Sequence, residues 1–160
     1  FEKILSEVSP MDEIVKESTL DGRDKEEFQK HRILVVDDSV VARKQIQNCL
    51  QTIGADVVLK NDGRQAYQHL REITEDGSRA SDHYSMMISD VEMPEMDGYR
   101  LTAEVRNDPR MNDMFIALNT SLSGSFNDAM VKKVGCNRLI SKFQPDMLVD
   151  VVQQRMRELL

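Results

Sequence analysis

The run Met86-Met87-Ile88-Ser89 is short, apolar and stops on Asp90, which is the pattern of a buried strand that opens onto a single carboxylate. A second run of the same design, Ile33-Leu34-Val35-Val36, stops on Asp37-Asp38. Further along, Phe115-Ile116-Ala117-Leu118-Asn119 gives way to Thr120-Ser121, and Arg138-Leu139-Ile140 leads through Ser141 to Lys142. Short apolar runs separated by helix-length amphipathic stretches imply an α/β fold, a doubly wound parallel sheet built from βα units. Ligands of such open sheets bind outside the carboxyl ends of the strands, where strand order reverses. The three carboxylates, the hydroxyl and the ammonium all fall at such ends.

The spacing predicts strands over Ile33–Val36, Asp56–Lys60, Tyr84–Ser89, Phe115–Asn119 and 138–140. The intervening helices are expected over Val40 to Thr52, Gly63 to Ile73, Gly98 to Asn107 and Ser125 to Lys133, with a last one starting near Pro145. On the first helix Val40, Ile46, Cys49, Leu50 and Ile53 fall at core-facing spacing, and Gly54 stops it. On the last, Met147, Leu148, Val151, Val152, Met156 and Leu159 share a face. The polar stretch Glu75 to His83 reads as a loop.

Residues 1–30 differ in character: nine acidic and five basic side chains give a net charge of −4, and apolar residues are sparse. Ser9-Pro10-Met11-Asp12 is a helix-start signature. The segment is expected to be an acidic linker with one or two short helices, and a single domain to occupy 31–160. With Phe1 in the first position, the chain reads as part of something longer, whose effector lies upstream or on another protein.

A net charge of −7 and the lack of a basic run argue against nucleic acid or an anionic membrane as the main partner. No apolar run approaches membrane-spanning length, and a soluble, intracellular protein is expected. Cys49 and Cys136 match no zinc or disulfide spacing and read as packing residues. Most of the ten methionines read as core fillers.

Each polar residue has a plain reading. Asp37-Asp38-Ser39 before a helix can be a cap cluster, Thr120 a turn residue and Lys142 a solvated charge. Together, however, the carboxylate pair, the single carboxylate, Thr and Lys lie in chain order at the ends of strands one, three, four and five. Three gathered carboxylates repel unless a cation sits between them. A few carboxylates, with other positions left to water and phosphate oxygen, suit Mg²⁺ better than a Ca²⁺ cage. Asp90, most central to metal, Lys142 and Thr120, is the expected nucleophile toward phosphorus. Asp38 is the expected direct metal ligand, with Asp37 assisting through water and the backbone carbonyl of Glu92 facing the ion. Lys142 and the Thr120 hydroxyl would stabilise the transferring phosphoryl oxygens.

The motifs Leu34-Val35-Val36-Asp37-Asp38-Ser39, Ser89 to Gly98, Asn119-Thr120-Ser121 and Ser141-Lys142 resemble the receiver domain of two-component response regulators over residues 31–160. The resemblance implies a (βα)5 flavodoxin-like fold with strand order 2-1-3-4-5. It also implies phosphoryl transfer from a histidine kinase to Asp90, with Mg²⁺ at Asp38 and Asp90. Such a module is a signalling receiver, not an enzyme beyond its own phosphorylation and dephosphorylation. More narrowly, Phe1 to Leu5, Glu92 to Tyr99 and Ser141 to Asp146 are similar to the CheV family of chemotaxis coupling proteins. That family joins a CheW-like adaptor to a C-terminal receiver. By this likeness residues 1–30 would be the end of the adaptor and its linker. The partners would be the chemotaxis histidine kinase and, through the adaptor, the chemoreceptor array in the cytoplasm.

Some positions depart from the family pattern. Phe143 replaces the usual Pro after the lysine, so a cis bond there would be costly, about 3 kcal/mol. Leu139 holds the switch position that is usually aromatic, which removes a Thr-to-aromatic relay. The rival readings are a receiver-like scaffold that works without phosphorylation, an Mg²⁺-dependent phosphohydrolase, and phosphotransfer through His31, His69 or His83. Leu122 offers no polar group to orient a hydrolytic water, and Glu92 adds negative charge near an anion. The phosphorylated form is therefore expected to lose its phosphoryl group slowly. A lifetime as short as that of fast chemotaxis receivers, followed by phosphate release, would contradict this.

Overall fold

The computed structural model describes residues 31–121, 128–142 and 144–160. The acidic segment 1–30, Leu122, Phe143 and the expected start of the fourth helix at Ser125 lie outside the described residues. In chain order the elements are β1 (Arg32–Val36), α1 (Val40–Thr52), β2 (Asp56–Lys60), α2 (Gly63–Ile73), α3 (Ala80–His83) and β3 (Met86–Asp90). There follow α4 (Gly98–Asn107), β4 (Ile116–Thr120), α5 (Asp128–Val134), β5 (Arg138–Ser141) and α6 (Pro145–Glu158). The strands form one parallel sheet in the order β2-β1-β3-β4-β5.

Alternation along the strands assigns each side chain to one of two cores. Ile33, Val35, Met86, Ile88, Ala117 and Ile140 face α1 and α6, where Leu50, Ile53, Leu148 and Val152 complete one cluster. Leu34, Val36, Met87, Leu118 and Leu139 face the other way, against Leu70 of α2 and Leu101 and Val105 of α4. Because helices cover both faces, β1, β3 and β4 carry almost no polar side chain before their last residues. Strand order reverses between β1 and β3, so the ends of these two strands flank the crevice where a ligand can sit.

The expected strands and helices are present with shifts of a residue or two, and the structure corrects some details. Ala80–His83 is a single helical turn inside the stretch read as a loop. It has no apolar period to announce it, and it is held by Ala80 N–H donating to Arg110 O at 2.8 Å and by Arg79 bonding Asp113 and Asn112. Val40, assigned to the core side of α1, is 67% exposed. The first turn of α1 stands above the end of β1, where there is no sheet surface to cover it. On α6, Val149 and Gln153 are buried, whereas Met147 and Leu159 lie at the surface. The helix is apolar over so wide an arc that only its seat on the sheet fixes the centre of the buried stripe. Cys136 is buried and Cys49 partly so, and neither is in a disulfide, as their reading as packing residues requires.

One side chain ties the lower end of the sheet together. Arg106 of α4 donates from Nε to Gly135 O at 2.7 Å and from Nη1 to Met114 O at 2.6 Å and Asn112 O at 3.0 Å. Its Nη2 reaches Asn137 Oδ1 at 2.9 Å, and that same oxygen accepts from Ile116 N–H. The guanidinium thus sets where β4 and β5 begin. Arg106→Ala is expected to cost about 2–3 kcal/mol, because it removes the guanidinium donor from two part-buried carbonyls, those of Gly135 and Met114. Arg106→Lys should recover less than half, since an ammonium cannot reproduce the planar fork. Urea unfolding of the two variants checks both.

Candidate functional site

The end of β1 explains how the acidic pair escapes the capping role. Ser39 caps α1, its Oγ accepting from Ala42 N–H at 3.2 Å. Asp37 instead turns inward and is 1% exposed. Its Oδ1 accepts from Ser39 N–H at 2.9 Å, and Arg43 Nη1 donates to its backbone carbonyl at 2.6 Å. Asp37 Oδ2 is buried with no hydrogen-bond partner. Burial raises the Asp37 pKa, with the Asp38 charge adding to it, against the opposing pull of the Ser39 N–H and Lys142. Asp38 is exposed at the mouth.

Asp90 is the last residue of β3 and is 2% exposed. The chain beyond it makes a tight connection into α4. Met93 N–H and Gly98 N–H both donate to Val91 O, and Glu95 takes a left-handed φ of 64°. Asp97 then caps α4, accepting from Arg100 N–H at 2.8 Å. Gly98 is obligatory: a Cβ there would lie 2.5 Å from Asp90 O and 2.9 Å from Val91 Cα. Met93 is buried and Met96 packs against the α2/α4 core, so this loop is anchored from beneath.

The remaining parts arrive from β4 and β5. Thr120 pairs with Ser141 in the sheet register, and Lys142 N–H continues the ladder by donating to Thr120 O at 2.9 Å. That bond carries Lys142 across the sheet end until its Nζ lies 2.7 Å from Asp90 Oδ1. Burial would depress the Lys142 pKa, but Asp90, Asp37 and Glu92 hold it above its ordinary value. For Asp90 burial prevails: despite Lys142, and with Asp37 adding repulsion, its pKa is pushed up to about 6. A cleft of about 580 Å³ opens beside the site between α1 and α6, with Asp37, Asn119 and Lys142 at one end and Ile46, Cys49 and Leu148 along it.

Glu92 contributes its side chain, whose negative charge near the site the sequence reading foresaw but whose hydrogen bonds it did not. Its Oε1 accepts from Thr120 Oγ1 at 2.8 Å, Ser121 Oγ at 3.1 Å and Ser121 N–H at 3.2 Å, and its Oε2 lies 3.7 Å from Lys142 Nζ. Burial would raise its pKa, yet these donors hold it below the usual carboxylate range. The sequence signal was only that Glu92 stands two residues past Asp90, close enough to add negative charge.

Asp37, Asp38 and Asp90 each offer an oxygen, and the three oxygens lie within 4.8 Å of one another. Three hard carboxylate donors, one with an orphaned buried oxygen, fit a divalent cation that keeps some of its water. The structure brings together Asp37, Asp38, Asp90, Glu92, Thr120 and Lys142. Leu139 is apart from them, buried in the α2/α4 core. The histidines are also apart and each is held by a hydroxyl: His31 by Ser85, His69 by Tyr84 and His83 by Ser78, at 2.7–2.8 Å. Tyr84 and Ser85 precede β3, at the edge of the sheet opposite Asp90.

The sequence matches the response regulator receiver domain family over residues 33–153. It is 31% identical over 154 residues to the chemotaxis protein CheV1 of Helicobacter pylori, a match that covers 96% of the chain and 46% of that relative. The chain thus spans about half the length of this relative. Among solved structures it is similar to chemotaxis protein CheY4 of Vibrio cholerae, with a TM-score of 0.63 and 27% identity over 78% of the chain and 97% of that structure. It is also similar to the receiver domain of the sensor histidine kinase PA1611 of Pseudomonas aeruginosa, which has a magnesium ion coordinated in its active-site cleft. The TM-score is 0.65, with 25% identity over 79% of the chain and 98% of that domain.

The burial of Asp90 has a measurable cost. A carboxyl whose pKa is raised on folding contributes stability below its unfolded pKa and loses it as pH rises through the folded value. In metal-free protein, the unfolding free energy of wild type relative to Asp90→Asn should therefore fall between pH 4 and pH 6. The fall should reach up to about 3 kcal/mol, and a saturating divalent cation should flatten it. Denaturant melts of both proteins across that range check it. Gly98→Ala should cost about 1–3 kcal/mol from the same melts, because backbone has to move.

Proposed function

The chain belongs to the response regulator receiver domain family, and on that premise we propose that it takes a phosphoryl group from a histidine kinase onto Asp90. The observation that carries this reading is the ion pair of 2.7 Å between Asp90 and Lys142, set beside the Asp37 and Asp38 carboxylates. An Asp90 oxygen attacks the phosphorus of a phosphohistidine. The new O–P bond forms as the P–N bond breaks, and the leaving imidazole nitrogen takes a proton. Lys142 supplies positive charge for the oxygens of the transferring group, and Thr120 and Ser121 supply hydroxyl donors. Asp37, Asp38 and Asp90 would hold Mg²⁺, with the Glu92 backbone carbonyl as a further donor. When bound, Mg²⁺ neutralises negative charge on the phosphoryl oxygens and among the carboxylates.

The partners follow from the relative that covers nearly the whole chain. Likeness to CheV1 over 154 residues supports a chemotaxis pathway in which the receiver regulates a CheW-like adaptor upstream, at a cytoplasmic chemoreceptor array. Among the described residues no helix is long and apolar enough to cross a membrane. The module acts as a signalling receiver and does not turn over phosphoesters. The orphaned Asp37 oxygen and the raised Asp90 pKa favour this over a phosphorylation-independent scaffold, which has no need to bury two carboxylates at strand ends.

Intact mass after incubation with acetyl phosphate tests the reading directly. One phosphoryl adduct is expected, dependent on Mg²⁺ and absent from Asp90→Asn. An adduct that persists in Asp90→Asn, or continuous phosphate release from a generic phosphoester, would overturn it.

A further inference from the structure

The donors that a phosphoryl group on Asp90 would use are already occupied. Glu92 Oε1 takes hydrogen bonds from Thr120 Oγ1, Ser121 Oγ and Ser121 N–H, and Oε2 faces the Lys142 ammonium at 3.7 Å. Those groups come from the ends of β4 and β5, and Lys142 is also paired with the Asp90 carboxylate. Two anions cannot share one set of donors at these distances without strong repulsion. The Glu92 backbone is fixed, its N–H donating to Asp90 Oδ1 at 3.2 Å. Its side chain is 39% exposed, so rotation about its own χ angles can carry the carboxylate out to water without moving β3. We infer that Glu92 is a built-in occupant of the phosphoryl position, a positioning residue that holds Thr120 and Ser121 in the resting state and is expelled when Asp90 is phosphorylated.

This inference rests on the phosphoacceptor reading and adds to it the moving part. Leu139, aliphatic and 8% exposed, offers no polar or aromatic side chain at its own position with which to sense a change at Thr120. Glu92 does have such a bond. Its departure frees Thr120 and Ser121 to turn toward the phosphoryl oxygens and places a carboxylate on the surface. Because the expelled anion must give up several charge-assisted hydrogen bonds, occupation slows phosphoryl uptake.

The test compares Glu92→Ala, Glu92→Gln and Glu92→Asp with wild type, measuring the rate of the intact-mass adduct at a fixed subsaturating acetyl phosphate concentration with Mg²⁺. Glu92→Asp keeps the charge but is one methylene too short to span to Thr120 and Ser121. It should therefore speed uptake about as much as Glu92→Ala, on the order of tenfold. Glu92→Gln keeps an acceptor oxygen and should fall between them and wild type. A second readout is the Ser121 amide resonance. Adding beryllium and fluoride with Mg²⁺ should shift it further in wild type than in Glu92→Ala, where the Glu92 bond is already gone. If Glu92→Asp stays as slow as wild type while Glu92→Gln is fast, only the charge matters and the occupant idea is overturned. Equal rates in all four proteins would overturn it while leaving Asp90 as the acceptor. An adduct in none of them would overturn the acceptor reading as well.

Discussion

A carboxylate buried at the end of a central strand has to be compensated, and the ion pair from Lys142 to Asp90 at 2.7 Å does so only in part. The cost of removing Asp90 from water exceeds what one ammonium returns in the presence of a second buried acid, Asp37. The elevated Asp90 pKa expresses that shortfall. Much of the architecture follows from it. Lys142 is carried to Asp90 by a ladder bond that runs one residue past the end of β5. Gly98 is required so that α4 can start against the backbone of Asp90 itself. The orphaned oxygen of Asp37 marks where further positive charge belongs.

The site is thus a negative surplus held open by the fold. A structural cluster of acids would be neutralised by the protein's own bases or hydrated at the surface. Here Ser39 has taken the capping of α1, and Asp37 gives only Oδ1 to the helix start, accepting from Ser39 N–H, while its Oδ2 has no hydrogen-bond partner. Arg43, the nearby base, spends its bond on the Asp37 carbonyl and not on its carboxylate. The donors on the far side, Thr120 and Ser121, are given to Glu92. The acidic cluster includes Asp90, and Lys142 contacts both Asp90 and Glu92, so the two groups of charge meet at one ion pair.

The legibility of these parts differs residue by residue. Asp90, Thr120 and Lys142 were visible because each ends a short apolar run, and a side chain at a strand end has few places to go. Val40 was misassigned because helical periodicity says which face a residue occupies but not whether anything lies opposite that face. The single turn Ala80–His83 is too short to have a period. Arg106 has no local sequence signal for its role, because its fork joins segments 8 and 29 residues away.

What the sequence determined by itself was local: which runs are strands, which are helices, and which polar residues stand at strand ends. These follow from periodicity and composition within windows of about ten residues, and burial on both faces of a parallel sheet makes that signal strong. Strand order was reachable only through family resemblance, because neither β1 nor β3 states which strand will be its neighbour. The tertiary structure alone decided that the Glu92 carboxylate lies on Thr120 and Ser121. A long polar side chain chooses among partners by distance, and those distances exist only once strands 30 residues apart have been laid side by side in register.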